Sequence, residues 1–227
     1  MHTRDDLNCT RGYEFWLMKE AKKRNPDIIT YGLPWGSPGW IDHQTGYYGP
    51  DQITYQVNWL KCARDWHGID VTWLGLWNER PWGTPQFVKD LKKAIDAEGL
   101  KTKLVLGDGG MPNVLDYSND TEFMGAFDAV GLHYPCTASA LKGAGPGLLD
   151  AGKAIWASED WWSEAEVRSL PDLVFCRQPL ELTTVAPTCD ALQWPGAACW
   201  AKLFNQYATI VIPCLEYLLI STALLGL

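Results

Sequence analysis

Five apolar runs in this 227-residue chain each lead to side chains that can do chemistry. Trp35 closes "IITYGLPW", Asn78 and Glu79 close "VTWLGLWNE", Asp108 closes "KLVLGD", His133 and Tyr134 stand near the end of "FDAVGLHYP", and Glu159 and Asp160 close "AIWASED". Two carboxyls from different runs, Glu79 and Glu159, suggest a specific reaction. A pair held about 5 Å apart can hydrolyse a glycosidic bond with retention, one carboxylate attacking and the other moving the proton. The two need unlike surroundings. The proton carrier needs apolar burial or a neighbouring negative charge to raise its pKa, and Trp77 and Trp82 are expected to give Glu79 that desolvation. The nucleophile must stay ionised among hydrogen-bond donors, for which His133 and Tyr134 are the candidates. Of Glu159 and Asp160, the strand pleat turns only one inward.

What must position these groups is legible in the intervening pattern. Residues 11–24 read as a helix, with Phe15, Leu17, Met18 and Ala21 at helical spacing and Asn25-Pro26 as the stop. Residues 52–66 return to that spacing through Tyr55, Trp59, Cys62, Ala63 and Trp66, and residues 86–97 do so through Phe87, Val88, Leu91 and Ile95. Strands apolar nearly throughout, alternating with helices, predict a parallel sheet covered on both faces. A doubly wound sheet should carry a Gly-rich phosphate loop, and "GDGG" at 107–110 lacks the spacing. Every strand instead delivers its polar residues at its C-terminal end, where barrel enzymes build their sites. The expected fold is α/β, an incomplete (β/α)8 TIM barrel with five strands.

Composition narrows the ligand. A net charge of −8 and an isoelectric point near 4.9 argue against a nucleic-acid partner. Thirteen Trp against six Phe is a surplus of flat apolar platforms suited to stacking on sugar rings. The seven Cys form no C-x-x-C pair and no zinc-spaced cluster with His, so no structural metal is expected. Sequons at Asn8 and Asn119 would permit glycosylation in a secreted protein. No secretory signal opens the chain, because "MHTRDDLNCTRGYEFW" is polar where an apolar core should be. The stretch 207–227 is apolar with Glu216 its one charge, and Pro213 and Glu216 argue against reading it as a membrane span.

"GLPWGSPGW", "WLGLWNERPW", "GLHYP" and "IWASEDWW", in that order, resemble glycoside hydrolase family 59, which cleaves galactosylceramide. The resemblance runs over residues 11–162. It implies a (β/α)8 barrel of which the five strands are the third to the seventh. It also implies removal of β-galactose from galactosylceramide and related galactolipids with retention. Glu79 would be the acid/base and Glu159, rather than Asp160, the nucleophile. Asn78 would bind the sugar near its 2-hydroxyl, and Trp35 would form an aromatic wall of the galactose pocket. The resemblance implies no metal or organic cofactor, a saposin-like protein that presents the lipid, and a lysosomal setting. A glucosylceramide-cleaving relative would share both glutamates, and so would a non-catalytic sugar- or lipid-binding remnant; "GLPWGSPGW" favours the galactolipid.

The departures divide the chain. Trp162 stands where the family has a small hydroxyl residue, with Ser163 one position later. The organisation expected is a partial barrel over 1–166, an unmatched insertion over 167–195, a resumed barrel segment over 196–206 and an unmatched apolar tail over 207–227. Within the resumed segment, "GAACWAKLFNQ", Cys199 matches a family cysteine whose disulfide partner lies downstream of this chain.

Overall fold

The computed structural model describes residues 1–44, 46–133, 146–159 and 222–223. Helix α1, Glu14–Arg24, buries Phe15, Met18 and Ala21 on one side and ends at Asn25, because Pro26 disfavours helical backbone in the residue before it. Strand β1 is Tyr31–Leu33 and helix α2 is Gly39–Gln44. Helix α3, Pro50–Lys61, starts on a proline, which suits the first helical turn. It runs on into a π-helical turn, Cys62–Trp66. Strand β2 is Trp73–Gly75. Helix α4, Pro85–Ala97, is capped by Thr84, whose side chain accepts from the Phe87 N–H at 3.2 Å. Strand β3, Lys103–Gly109, leads through a 3₁₀ turn, Val114–Tyr117, to helix α5, Thr121–Ala126, which Asp120 caps in the same way. Strand β4, Ala129–His133, helix α6, Pro146–Asp150, and strand β5, Ala154–Glu159, follow.

All strands pair in parallel, in the order β5-β4-β3-β2-β1-β6, where β6 is Thr222–Ala223. From β1 to β5, neighbours in sequence are neighbours in space, the order of a barrel wall. A doubly wound sheet reverses direction midway. Within the tail the structure describes Thr222–Ala223, which lie against β1, on the edge opposite β5.

The sheet is curled. Trp156 on β5 touches Trp73 on β2, ring centroids 4.4 Å apart, and meets Tyr31 on β1 edge-on at 6.1 Å. Four strand steps across a flat sheet would separate β1 from β5 by roughly 19 Å. These rings, with Leu33, Val105 and Ala129, fill the concave face. The convex face packs on the helices through Leu74, Leu104, Leu106, Val130 and Leu132 against Met18, Leu60, Leu91 and Phe123. Among the described residues the sheet is not closed, so the fold is the expected part of a (β/α)8 barrel.

A disulfide between Cys9 and Cys62 ties the N-terminal segment to the π turn. Beside it His67 stacks on Phe15 and its Nε2 donates to the Cys9 carbonyl at 2.6 Å. Among the described residues no helix is long and apolar enough to cross a membrane.

Candidate active site

The regular ladder breaks at the C-terminal rim, and each break aims a polar side chain. Between β3 and β4 the register shifts at 107–109, and between β4 and β5 it shifts at 132–133, which sets His133 opposite Glu159. Such bulges re-aim side chains beside functional sites. Asp108, inside the first bulge, has a left-handed backbone with φ 58°. Glu79, beyond the end of β2, is left-handed too, with φ 52°. Outside glycine this conformation is uncommon and costs energy, and it clusters where function fixes a side chain. The two are linked, because the Glu79 N–H donates to the Asp108 carbonyl at 2.7 Å. The Asn78 N–H donates to Pro34 at the end of β1, at 2.9 Å.

These breaks bring three side chains together. His133 is buried, and its Nδ1 lies 3.4 Å from Glu79 Oε1 and 3.9 Å from Glu159 Oε2. One donor atom from each of Glu79, His133 and Glu159 lies within 4.8 Å of the other two. Among the described residues these three atoms are a place where a divalent cation could sit; the reading below needs none. Glu79 and Glu159 leave strands three steps apart, about 14 Å in a flat sheet, so the curl of the sheet is what makes them a pair.

Beneath them lies a carboxyl that the sequence showed only as a polar strand end. Asp108 is fully buried. Tyr31 donates its hydroxyl to Asp108 Oδ2 at 2.5 Å, and Asp108 Oδ1 lies 4.0 Å from His133 Nε2. A side chain on Gly75 would collide with the Tyr31 hydroxyl, with Asp108 and with Leu33; one on Gly131 would collide with Ser158 and Asp108. Burial pushes the Asp108 carboxyl up, opposed by the hydrogen bond from Tyr31, by the nearby Ser158 hydroxyl and by the neighbouring His133. Burial, with the Asp108 charge beside it, puts the Tyr31 hydroxyl well above its ordinary value. Tyr31 and Ser158 have no individual signal in the sequence. The glycines do, since a glycine inside a strand marks a close approach by another group.

The other sequence expectations fall as follows. Trp35 stands half exposed just beyond β1. Asn78 keeps its side-chain oxygen buried, with no hydrogen-bond partner among the described residues. The desolvation of Glu79 by Trp77 and Trp82 is not found. Trp77 stacks face to face on Tyr47, centroids 3.5 Å apart. Trp82 is buried on Phe123 and donates from its ring N–H to Asn113. The Glu79 side chain is half exposed. His133, expected beside the nucleophile, approaches Glu79 more closely than Glu159. Tyr134, Asp160, Trp162, Ser163 and Cys199 lie outside the described residues, as do 167–195 and 196–206.

The model of glycosyl hydrolase family 59 matches residues 1–207. The chain is similar to galactocerebrosidase of Homo sapiens, 39% identical over 211 residues, and to that of Mus musculus, 34% identical over 211 residues. Each alignment covers 91% of this chain and 26% of the relative. The Salmo salar galactocerebrosidase is 33% identical over 211 residues, again 91% of this chain and 27% of the relative. The chain therefore spans about a quarter of the length of these relatives. Among solved structures it is similar to SrfJ from Salmonella typhimurium, with TM-score 0.53 and 19% identity, covering 66% of this chain and 40% of that one. An endo-beta1,6-glucanase gives TM-score 0.50 and 22% identity, covering 63% of this chain and 39% of that one. At such identities the two structures speak for the fold alone.

Proposed function

As the chain belongs to glycosyl hydrolase family 59, we propose that Glu79 and Glu159 are the acid/base and nucleophile of a retaining β-galactosidase acting on galactosylceramide and related galactolipids. The observation that carries this reading is the convergence of the two carboxylates to within 4.8 Å across three strand steps, the spacing at which direct attack, rather than attack through an intervening water, is possible. Glu159 attacks the anomeric carbon while Glu79 protonates the ceramide oxygen. Glu79, now a base, activates the water that releases galactose. The buried, unpartnered amide oxygen of Asn78 and the exposed face of Trp35, on the same side of the sheet's rim, suit a hydroxyl and a sugar ring in turn. The name of the relatives, galactocerebrosidase, supports a cerebroside as substrate class. A saposin-like helper to lift the lipid and a lysosomal setting belong to the same proposal.

A second reading has an observation in its favour. The described sheet is open, and an unclosed wall holds its rim less rigidly, so the 227-residue chain by itself is read as turning over little substrate. One experiment addresses both readings. The chain, and a chimera in which it replaces the matching quarter of the mouse relative, are treated with a 2-fluoro galactosyl fluoride, which traps a glycosyl-enzyme. The expected result is an adduct on Glu159 in the chimera, lost in Glu159→Gln, with little or none in the chain alone. A folded chimera with no adduct, or with one on another residue, would overturn the assignment; a chain that labels and turns over as fast as the chimera would overturn the second reading.

A further inference from the structure

The proposed reaction leaves Asp108 unused, yet the fold spends much to place it. It is wholly buried, it takes up a left-handed backbone inside a bulge, and Gly75 and Gly131 on both neighbouring strands are cleared for it. A carboxyl in such a place is costly unless it is paired. Tyr31 satisfies one oxygen. The other lies beside Ser158 and faces His133 Nε2 at 4.0 Å, beyond hydrogen-bond length but near enough for its negative charge to favour a proton on that nitrogen, while Nδ1 on the opposite side of the ring faces Glu79 and Glu159.

We propose that Asp108 is a positioning residue that acts through His133, keeping the ring's proton on Nε2 and so presenting Nδ1 as an acceptor to the acid/base. This rests on the reading of Glu79 as that acid/base. Before the first step Glu79 carries its proton and Glu159 is ionised. A bare Nδ1 then accepts from the Glu79 O–H and holds that oxygen at the rim. The opposite tautomer would place an N–H there and turn the Glu79 proton away. The second nitrogen of an imidazole fixes the role of the first, and here the group that fixes it is on the third strand, below the substrate. No proton leaves Glu79 in this arrangement; it is oriented until the leaving oxygen takes it.

The ring can be read directly. In the ¹⁵N-histidine-labelled chain, long-range ¹H–¹⁵N correlation should show His133 with a protonated Nε2 and a lone-pair Nδ1, the signal being assigned by its loss in His133→Gln. Asp108→Gly suits the left-handed backbone and removes the acceptor; it should convert that single form to a mixture or to Nδ1–H. Should the variant fail to fold, the wild-type spectrum still decides, because Nδ1–H with a bare Nε2 overturns the proposal. In the chimera, Asp108→Gly should lower kcat on galactosylceramide by on the order of 10²-fold with KM little changed. It should slow an aryl galactoside with an activated leaving group far less, since that group needs no proton. Equal losses on both substrates would mark Asp108 as merely structural and refute the proposal. A chimera that forms no Glu159 adduct refutes the glycosidase reading instead, whatever the tautomer; the wrong tautomer beside a normal adduct refutes this inference alone.

Discussion

Gly131→Ala tests whether the space around Asp108 is as tight as the site requires. A Cβ at residue 131 would lie 2.6 Å from Ser158 Oγ, 2.8 Å from Asp108 Oδ1 and 3.0 Å from Ser158 Cβ. Optimal contact between heavy atoms is roughly 3.5–4.0 Å. Both neighbours are buried on strands paired on either side of β4, so neither has the freedom of a surface side chain to swing away. Forcing a methyl into such a place costs about 1–3 kcal/mol. With a urea slope of about 2 kcal/mol/M, the midpoint should fall by about 0.5–1.5 M. Gly125→Ala is the matched control. Gly125 is exposed on α5 and has nothing within 4 Å of its Cβ position, so replacement should be neutral or stabilise by about 0.5–1 kcal/mol through helix propensity. Urea titrations followed by Trp fluorescence give both numbers. If Gly131→Ala unfolds at the same urea concentration as the wild type or higher, the strands are not packed on Asp108 as described, and the argument for Gly131 as a sequence signal fails with it.

Two further outcomes follow from the same structure. Burial holds the folded pKa of Asp108 above its unfolded value, so its protonated form favours the folded state; that stability is full below the unfolded pKa and lost as pH rises through the folded one. The stability of wild type relative to Asp108→Asn should therefore rise as pH is lowered from about 7 towards about 4, and paired urea midpoints that stay level or diverge the other way would contradict it. The Cys9–Cys62 bridge closes a loop with a sequence separation of 53; Cys62→Ser, or added reductant, should cost about 4 kcal/mol, and an unchanged midpoint under reductant would show that the bridge does not restrain the unfolded chain.

The regular parts of this fold were legible in the sequence because burial writes a period into it. The helices over Glu14–Arg24 and Pro85–Ala97 and all five predicted strands lie where the apolar spacing put them. The first helix begins later than its pattern suggested because Gly12 is left-handed, with φ 83°. Trp66 shows the limit of such patterns. Its spacing from Trp59 and Cys62 places it on the buried side of an ordinary helix, yet it is 68% exposed. The turn Cys62–Trp66 is π-helical, with more residues per turn, so the buried face rotates away from it. The tryptophans beside Glu79 misled for a related reason. Strand alternation holds only while the strand does, and β2 ends at Gly75, so nearness in sequence to Glu79 said nothing of where Trp77 and Trp82 turn. Asp108 was visible as a polar strand end, but its partners come from β1, β4 and β5, and contacts between distant segments leave no local pattern.

Closure, or whatever covers the rim, then has a definite task. The candidate residues are already placed by backbone bonds between neighbouring strand ends: Asn78 on Pro34, Glu79 on Asp108, His133 opposite Glu159. What these described residues do not supply is dryness. Glu79 is half exposed and Glu159 is 31% exposed. An acid/base whose pKa is to be raised needs burial as well as a negative neighbour, and at the rim Glu159 provides the neighbour but nothing described provides the burial. The lipid is one source, since a bound galactosyl ring over the pair would expel water from both carboxyls. Protein outside the described residues is the other. If Glu79 is the acid/base proposed above, it becomes a competent proton donor only once the site is covered, and that requirement is met above the rim and not in the sheet.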